Sequence, residues 1–443
     1  MHSAHRNTIE GSCLTVADTG PMPGSTKFPA ARSLALASVV GLLLIAARPM
    51  GAQQEAVLYS FPGYSNGETP QASMIVDSKG NLYGTTAQGG AKGYGAVFEI
   101  TLPANGAPKE KVLHSFPRNS NPVSSLVLDP TGTLYGTTEG GGIVNGNCPF
   151  GCGTVFSLKG SKHKLLYNFT GGDNGDGGNP YGGLVTDGLG NFYGTTAYGG
   201  ASTTPTDNGC GTIFQISGGV ETILYSFSGV GDGCNPMAGL FIDSSGILYG
   251  TTQQGGSGYG TVFELDPSSS TLITLYYFGG GSDGAYPLSS LVMDDFGFLY
   301  GTTQQGGGFG CGGNGCGTVY TVDPTGLSGF QLYAFTGGVT DGANPYGALA
   351  VDSGFNLYGT TYSGGTSGSG IVFELLGGTT EQVLHNFEGY PDGTNPVGGL
   401  VINNKDCHLY GTTTAGGTSH RGTVFYVIPR QRINLPPFCT PTP

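Results

Sequence analysis

Hydrophobic and polar positions alternate along this chain in short words, and the words come in a fixed order. Leu184-Val185-Thr186-Asp187 is followed by Phe192-Tyr193-Gly194-Thr195-Thr196, then Gly211-Thr212-Ile213-Phe214-Gln215-Ile216, then Ile223-Leu224-Tyr225-Ser226-Phe227. Each word is rich in β-branched and aromatic residues and is bounded by Gly, Asp-Gly or Asn-Pro. This is the signature of short β-strands with one face buried. No stretch sustains a 3.6-residue period with capping residues, so the pattern predicts almost no helix. We call the four words A, B, C and D.

Word B recurs most visibly. Its Tyr stands at 83, 135, 193, 249, 300, 358 and 410, with spacings of 52, 58, 56, 51, 58 and 52 residues. A period of this size with four strands per unit predicts a seven-bladed β-propeller, four antiparallel strands to a blade. The ends support closure of a ring. The first word after the leader is a D word, Val57-Leu58-Tyr59-Ser60-Phe61, and the last is a C word, Gly422-Thr423-Val424-Phe425-Tyr426-Val427. The last blade lacks D, and the orphan first strand supplies it, which hides an open edge. Small residues at each A word, such as Gly182-Gly183, Ser289-Ser290 and Gly398-Gly399, suit innermost strands crowded around an axis. Asp-x-x-Gly turns, Asp77 to Gly80 for example, join A to B, and blade seven departs with Asn404 and Cys407. Word B reads as a building strand, because a catalytic Thr needs an adjacent base and none recurs beside it.

Composition narrows the class of function. Of 443 residues only 10% are charged, and 16 basic against 29 acidic residues give a net charge of −13. A nucleic-acid or anionic-membrane surface needs clustered Lys and Arg, so neither partner is expected. Lys27 and Arg32 precede the apolar run Ser33 to Ala47, which fits a secretory signal with cleavage near Ala52; Met22 offers an alternative start. The run is short for a spanning helix, so the mature chain is expected to have no membrane span and to be secreted or extracytoplasmic. The expected organisation is a leader over 1–52, the propeller over 53–428 and a tail over 429–443.

The constellation of Asp-Gly-x-Asn-Pro, then Asp-x-x-Gly-Asn-Leu-Tyr-Gly-Thr-Thr with Gly-Gly behind it, then Gly-Thr-Val-Phe-Glu-Leu, resembles the Gloeo/Verruco (GloVer) tandem repeat of exported bacterial proteins. The likeness covers about residues 57 to 428. It implies a propeller and export, with varied C-terminal anchors, but no reaction. This chain ends PRQRINLPPFCTPTP without an apolar tail, so release rather than anchoring is expected.

Alternation places the D–A and B–C connections on one face, which carries the variable loops and most of the Cys. Cys148 with Cys152, Cys210 with Cys234, Cys311 with Cys316 and Cys407 with Cys439 are candidate disulfides, as export favours oxidation; zinc is the rival for the two close pairs. The same face repeats Asp176, Asp232, Asp283, Asp341 and Asp392, each followed by Gly, and Asn179, Asn235, Asn344 and Asn395, each followed by Pro. Such a ring can hold Ca²⁺ or bond sugar hydroxyls, with Tyr181, Tyr198, Tyr346 and Tyr390 as stacking platforms. Ordinary turn chemistry accounts for the same residues and is the favoured reading. A calcium loop with a closing Glu, a nucleophile elbow, a zinc-protease helix and a phosphate loop are all missing from the sequence. The leading expectation is a non-enzymatic binding or scaffold module for a glycan or protein, with no cofactor. The alternatives are a carbohydrate-active hydrolase or lyase with carboxylates near the central channel, and a purely structural envelope protein.

Overall fold

In the computed structural model, the described residues are 55–429 apart from 104–105, 173–174, 202–208 and 327. The expected leader, and the tail beyond residue 429, lie outside them. The chain builds seven antiparallel sheets in a ring, each in the order A-B-C-D. Blade three is representative: A is Val185–Thr186, B is Asn191–Thr196, C is Thr212–Ser217 and D is Val220–Ser226. Among the described residues the helical elements are two 3-10 turns, Tyr64–Asn66 and Cys311–Gly313.

The offset closure is present. Strand Glu55–Ser60 pairs antiparallel with Thr423–Val427 and becomes the D strand of blade seven. The fold class read from the sequence is therefore a seven-bladed propeller, closed by its first strand.

The core lies between blades rather than inside any one of them. Seven clusters of buried apolar residues fill seven seams. At the closing seam, Phe61, Tyr410 and Val424 of blade seven pack against Met74, Leu82 and Phe98 of blade one. Word B explains how thin blades stack so closely. A Cβ on its Gly would lie 2.4–2.8 Å from the aromatic ring at the third position of strand C, as for Gly84 against Phe98 and Gly411 against Phe425. Only glycine leaves room for that ring.

The Thr pair of word B ties the ring together. The first Thr donates its hydroxyl to a backbone carbonyl of the next blade's inner segment. The pairs are Thr85 to Ser124, Thr137 to Gly182, Thr195 to Ala238, Thr251 to Ser289, Thr360 to Gly398 and Thr412 to Ala72, at 2.9–3.5 Å. The second Thr bonds the carbonyl two residues on, and in five blades also the Thr opening strand C. Word B is a structural unit.

Candidate functional site

Seven inner segments surround a central cavity of about 250 Å³. Each contributes a triplet ending in two small residues, such as Val123-Ser124-Ser125, Tyr181-Gly182-Gly183 and Tyr346-Gly347-Ala348. The small pairs face the axis, as the sequence required. The leading residue of each triplet stands where the D–A loop arrives, so Gln71, Val123, Tyr181, Met237, Leu288, Tyr346 and Val397 ring the mouth on the loop-rich face. Tyr181 donates to Glu139 at 2.5 Å, and the Tyr346 hydroxyl accepts from Gln304 at 2.5 Å. Two of the expected platform residues thus sit at the channel mouth with their hydroxyls fixed.

The repeated Asp residues point inward. Asp176 accepts from the Thr170 amide and hydroxyl, the Gly172 amide and the Tyr167 hydroxyl. Asp232 accepts from Ser228 and Tyr225, Asp283 from Gly279 and Tyr276, and Asp341 from Thr336 and Gly342. Asp392 takes the Glu388 and Gly393 amides and meets His385 Nε2 at 3.0 Å. Each carboxylate holds its own D–A loop and latches the Tyr or His of strand D.

The Asn residues bridge blades. Asn179, Asn235, Asn344 and Asn395 all adopt φ of 55–56° and donate their amides to the carbonyls of Glu139, Ala197, Gln304 and Tyr362 in the preceding blade, at 2.9–3.0 Å. Asn tolerates the left-handed region better than most residues. Thr69, Asn121 and Tyr286 fill the same position in the other three blades. The proline that follows lies over the Gly that opens strand C of the preceding blade, where a Cβ would come within 2.4–2.9 Å of its ring.

Three of the four expected disulfides are present: Cys148–Cys152, Cys210–Cys234 and Cys311–Cys316. Cys407 is engaged, and Cys439 lies outside the described residues. With these sulfurs bonded to each other, the rival zinc reading of the two close pairs lapses.

Exposed aromatic rings are a second feature of the loop-rich face, among them the expected platform residues Tyr198 and Tyr390. Tyr64, Phe150, Phe309 and Tyr390 are each more than 60% exposed there, and Tyr94, Tyr198, Tyr259 and Tyr362 are partly so. Tyr390 stacks loosely on His420. Between blades four and five the loops enclose a cleft of about 560 Å³, bordered by Tyr259, Tyr286, Phe309, Gln305, Asn314 and Ser282. The Tyr259 ring rests against the bare backbone of Gly280, 6.1 Å from the Tyr286 ring. No ionisable acid or base borders this cleft, so it offers flat rings, amides and hydroxyls.

Outer strands meet at the seams through a third set of groups, unread in the sequence. A residue at the start of one D strand faces a residue near the end of the preceding D strand. Glu110 accepts from Tyr59 and Asn66; Glu221 faces Tyr167 and Asp176; Glu381 faces Tyr333 and Asp341; Glu55 faces His385 and Asp392. His114 stacks on His163 at 4.2 Å in the remaining polar seam. Burial, with the neighbouring Asp adding, pushes Glu221 and Glu381 up to about 7.

The Gloeobacter/Verrucomicrobia repeat model matches residues 47–206 and 204–425, nearly the whole described chain. The chain belongs to the Gloeobacter/Verrucomicrobia repeat family. No curated protein matches it. Among solved structures, this repeat propeller is similar to a streptogramin B lyase, with a TM-score of 0.55 at 12% identity over 87% of this chain and 98% of that one. It is also similar to the extracellular domain described for a one-component system from B. thetaiotaomicron, with a TM-score of 0.53 at 14% identity over 89% of this chain and 44% of that one. Identities this low speak for the shared fold alone, and propellers host many chemistries. What the repeat propeller does is therefore a matter of its own side chains. None of the residues lining its channel is a carboxylate or a His.

Proposed function

We propose that this protein is an exported binding module that takes a neutral glycan on its loop-rich face, seated in the cleft of Tyr259, Tyr286 and Phe309. The observation that carries this reading is the cleft's composition. Aromatic rings offer flat apolar faces to the C–H faces of a sugar, while Gln305, Asn314 and Ser282 supply amides and a hydroxyl for its hydroxyl groups. A net charge of −13 disfavours polyanionic polysaccharides. Tyr181 and Tyr346 at the neighbouring channel mouth extend the aromatic surface, and the Asp and Asn ring shapes the loops that present it. Three disulfides support export. Glycoside hydrolysis uses a pair of carboxyl groups flanking the bond, and the carboxylate-free channel lining supports binding rather than cleavage.

Calorimetric titration of the protein with a panel of neutral oligosaccharides tests the reading. A saturable heat that disappears in the double variant Tyr259→Ala/Phe309→Ala, with the sugar recovered uncleaved, is the expected result. Binding that ignores this double variant moves the site elsewhere. Sugar that returns shortened makes the protein an enzyme.

A further inference from the structure

The seam between blades six and seven, where the first strand meets the outer strand of blade six, differs from the other six. At two other seams a strand-D Glu and a turn Asp flank a Tyr: Glu221 and Asp176 around Tyr167, and Glu381 and Asp341 around Tyr333. At a third, Glu110 and Asn66 flank Tyr59. At the seam between blades six and seven the flanking pair is Glu55 and Asp392, and the central residue is His385. A tyrosine hydroxyl can only bridge two carboxylates by hydrogen bonding. An imidazole nitrogen between two carboxylates is a ligand set for a metal ion.

We propose that Glu55, His385 and Asp392 form a binding site for a divalent transition-metal ion of the zinc type, which clasps the first strand to blade six. His385 Nε2 lies 3.0 Å from Asp392 Oδ2 and 3.9 Å from Glu55 Oε2, and the three donor atoms lie within 4.8 Å of one another. Ligands of a tetrahedral zinc ion at ordinary bond lengths are roughly 3.4 Å apart, so small side-chain rotations complete the set. Glu55 Oε1 is buried with no hydrogen-bond partner among the described residues, which leaves a second carboxylate oxygen for the ion. The three side chains are only 15–17% exposed. A cavity of about 450 Å³ bordered by Glu55, Pro391, Asp392 and Thr418 gives an ion and a water ligand a way in. The nitrogen donor selects against Ca²⁺, which prefers an all-oxygen shell of six or more ligands.

The three donors come from separate places in the chain. Glu55 lies on the closing strand, His385 on the outer strand of blade six, and Asp392 on the loop entering blade seven. The bound ion therefore joins the closing strand to the outer strand of blade six and to the loop that leads into blade seven.

Protein stripped with EDTA is titrated with Zn²⁺ by calorimetry, and with Co²⁺ while its visible spectrum is followed. One ion per chain is expected, with a nitrogen-and-oxygen d–d spectrum and a saturable rise in the unfolding midpoint. His385→Tyr recreates the arrangement of the Tyr167 and Tyr333 seams and so retains the fold, and Glu55→Gln is nearly isosteric. Each should weaken Zn²⁺ binding at least tenfold while leaving the midpoint in EDTA close to that of the wild type. No binding by the wild type leaves only an imidazole–carboxylate contact and overturns the proposal, as does binding that persists unchanged in both variants. If His385→Tyr does not fold, Glu55→Gln alone decides between these outcomes.

Discussion

The Thr412 hydroxyl donates to the carbonyl of Ala72 at 3.3 Å across 340 residues of sequence, and through it the last blade holds the first. Five other seams carry the equivalent bond. At Thr302 the hydroxyl is buried and has no partner among the described residues. Two isosteric substitutions separate the bond from the methyl packing. Thr412→Val should lower stability by roughly 1–2 kcal/mol, because it orphans a buried acceptor. Thr302→Val should be neutral or slightly stabilising, since it removes a hydroxyl that bonds nothing. Urea midpoints of the two variants give the comparison, and equal losses would show that packing, not the bond, matters.

Asn179 combines a left-handed backbone with an amide that reaches the Glu139 carbonyl of the previous blade. Asn179→Ala loses both, and a cost of roughly 2–3 kcal/mol is expected. Asn179→Gly keeps the backbone freedom and should cost nearer 1 kcal/mol. Denaturant unfolding of the pair distinguishes the two contributions.

Stability should depend on pH through the seam carboxylates. Glu221 faces Tyr167 and Asp176, and Glu381 faces Tyr333 and Asp341; both are pushed up to about 7. A raised carboxyl pKa means that the folded chain binds more protons than the unfolded one between about pH 4.5 and 7, so stability falls as pH rises through that window. Below it, Asp77, Asp129 and Asp187, whose pKa values are lowered through hydrogen bonds in the A–B turns, lose their contribution as they protonate. His114, held down to about 4 by burial, and His163, also lowered by burial, oppose part of the fall towards neutrality, because the folded chain binds fewer protons at these rings than the unfolded one. The double variant Glu221→Gln/Glu381→Gln should flatten the descent towards neutrality, and an unchanged profile would mean that the carboxylates do not govern it.

The three disulfides should contribute unequally. Cys210–Cys234 closes a span of 24 residues and Cys148–Cys152 one of 4. Loop-closure entropy assigns them roughly 3.5 and 2 kcal/mol. Replacing each pair by Ser and measuring urea midpoints should rank them in that order.

The fold was legible because a period repeated seven times leaves little choice of architecture, and because a D word at one end and a C word at the other complete one blade. The Asp-Gly and Asn-Pro signals were legible only as turns with polar side chains. A ligand ring and a set of loop clamps read alike until the partners are seen, and Tyr167 on Asp176 or Asn179 on Glu139 are contacts between words. The cleft of Tyr259, Tyr286 and Phe309 has no signature in the sequence, since its rings come from three loops of unequal length, with no common motif. The seam acids are hidden for another reason. Glu55, Glu110, Glu221 and Glu381 look like ordinary polar residues of an outer strand, and their partners stand one whole repeat away. A regularity was nevertheless present: each precedes the Tyr or His of its own strand by four residues.

The pairing of Val57 with Phe425 joins segments far apart in the chain, which constrains assembly. The strand that leads the described chain can take its place only after Thr423–Val427, its distant partner, has been made. Until then the third strand of blade seven presents a bare edge, and the first strand has no sheet to join. Any second copy at hand offers the same missing strand to that edge. Completion within one chain and exchange between two are therefore competing outcomes of one interaction, decided by whether the local concentration of the chain's own strand exceeds that of its neighbours.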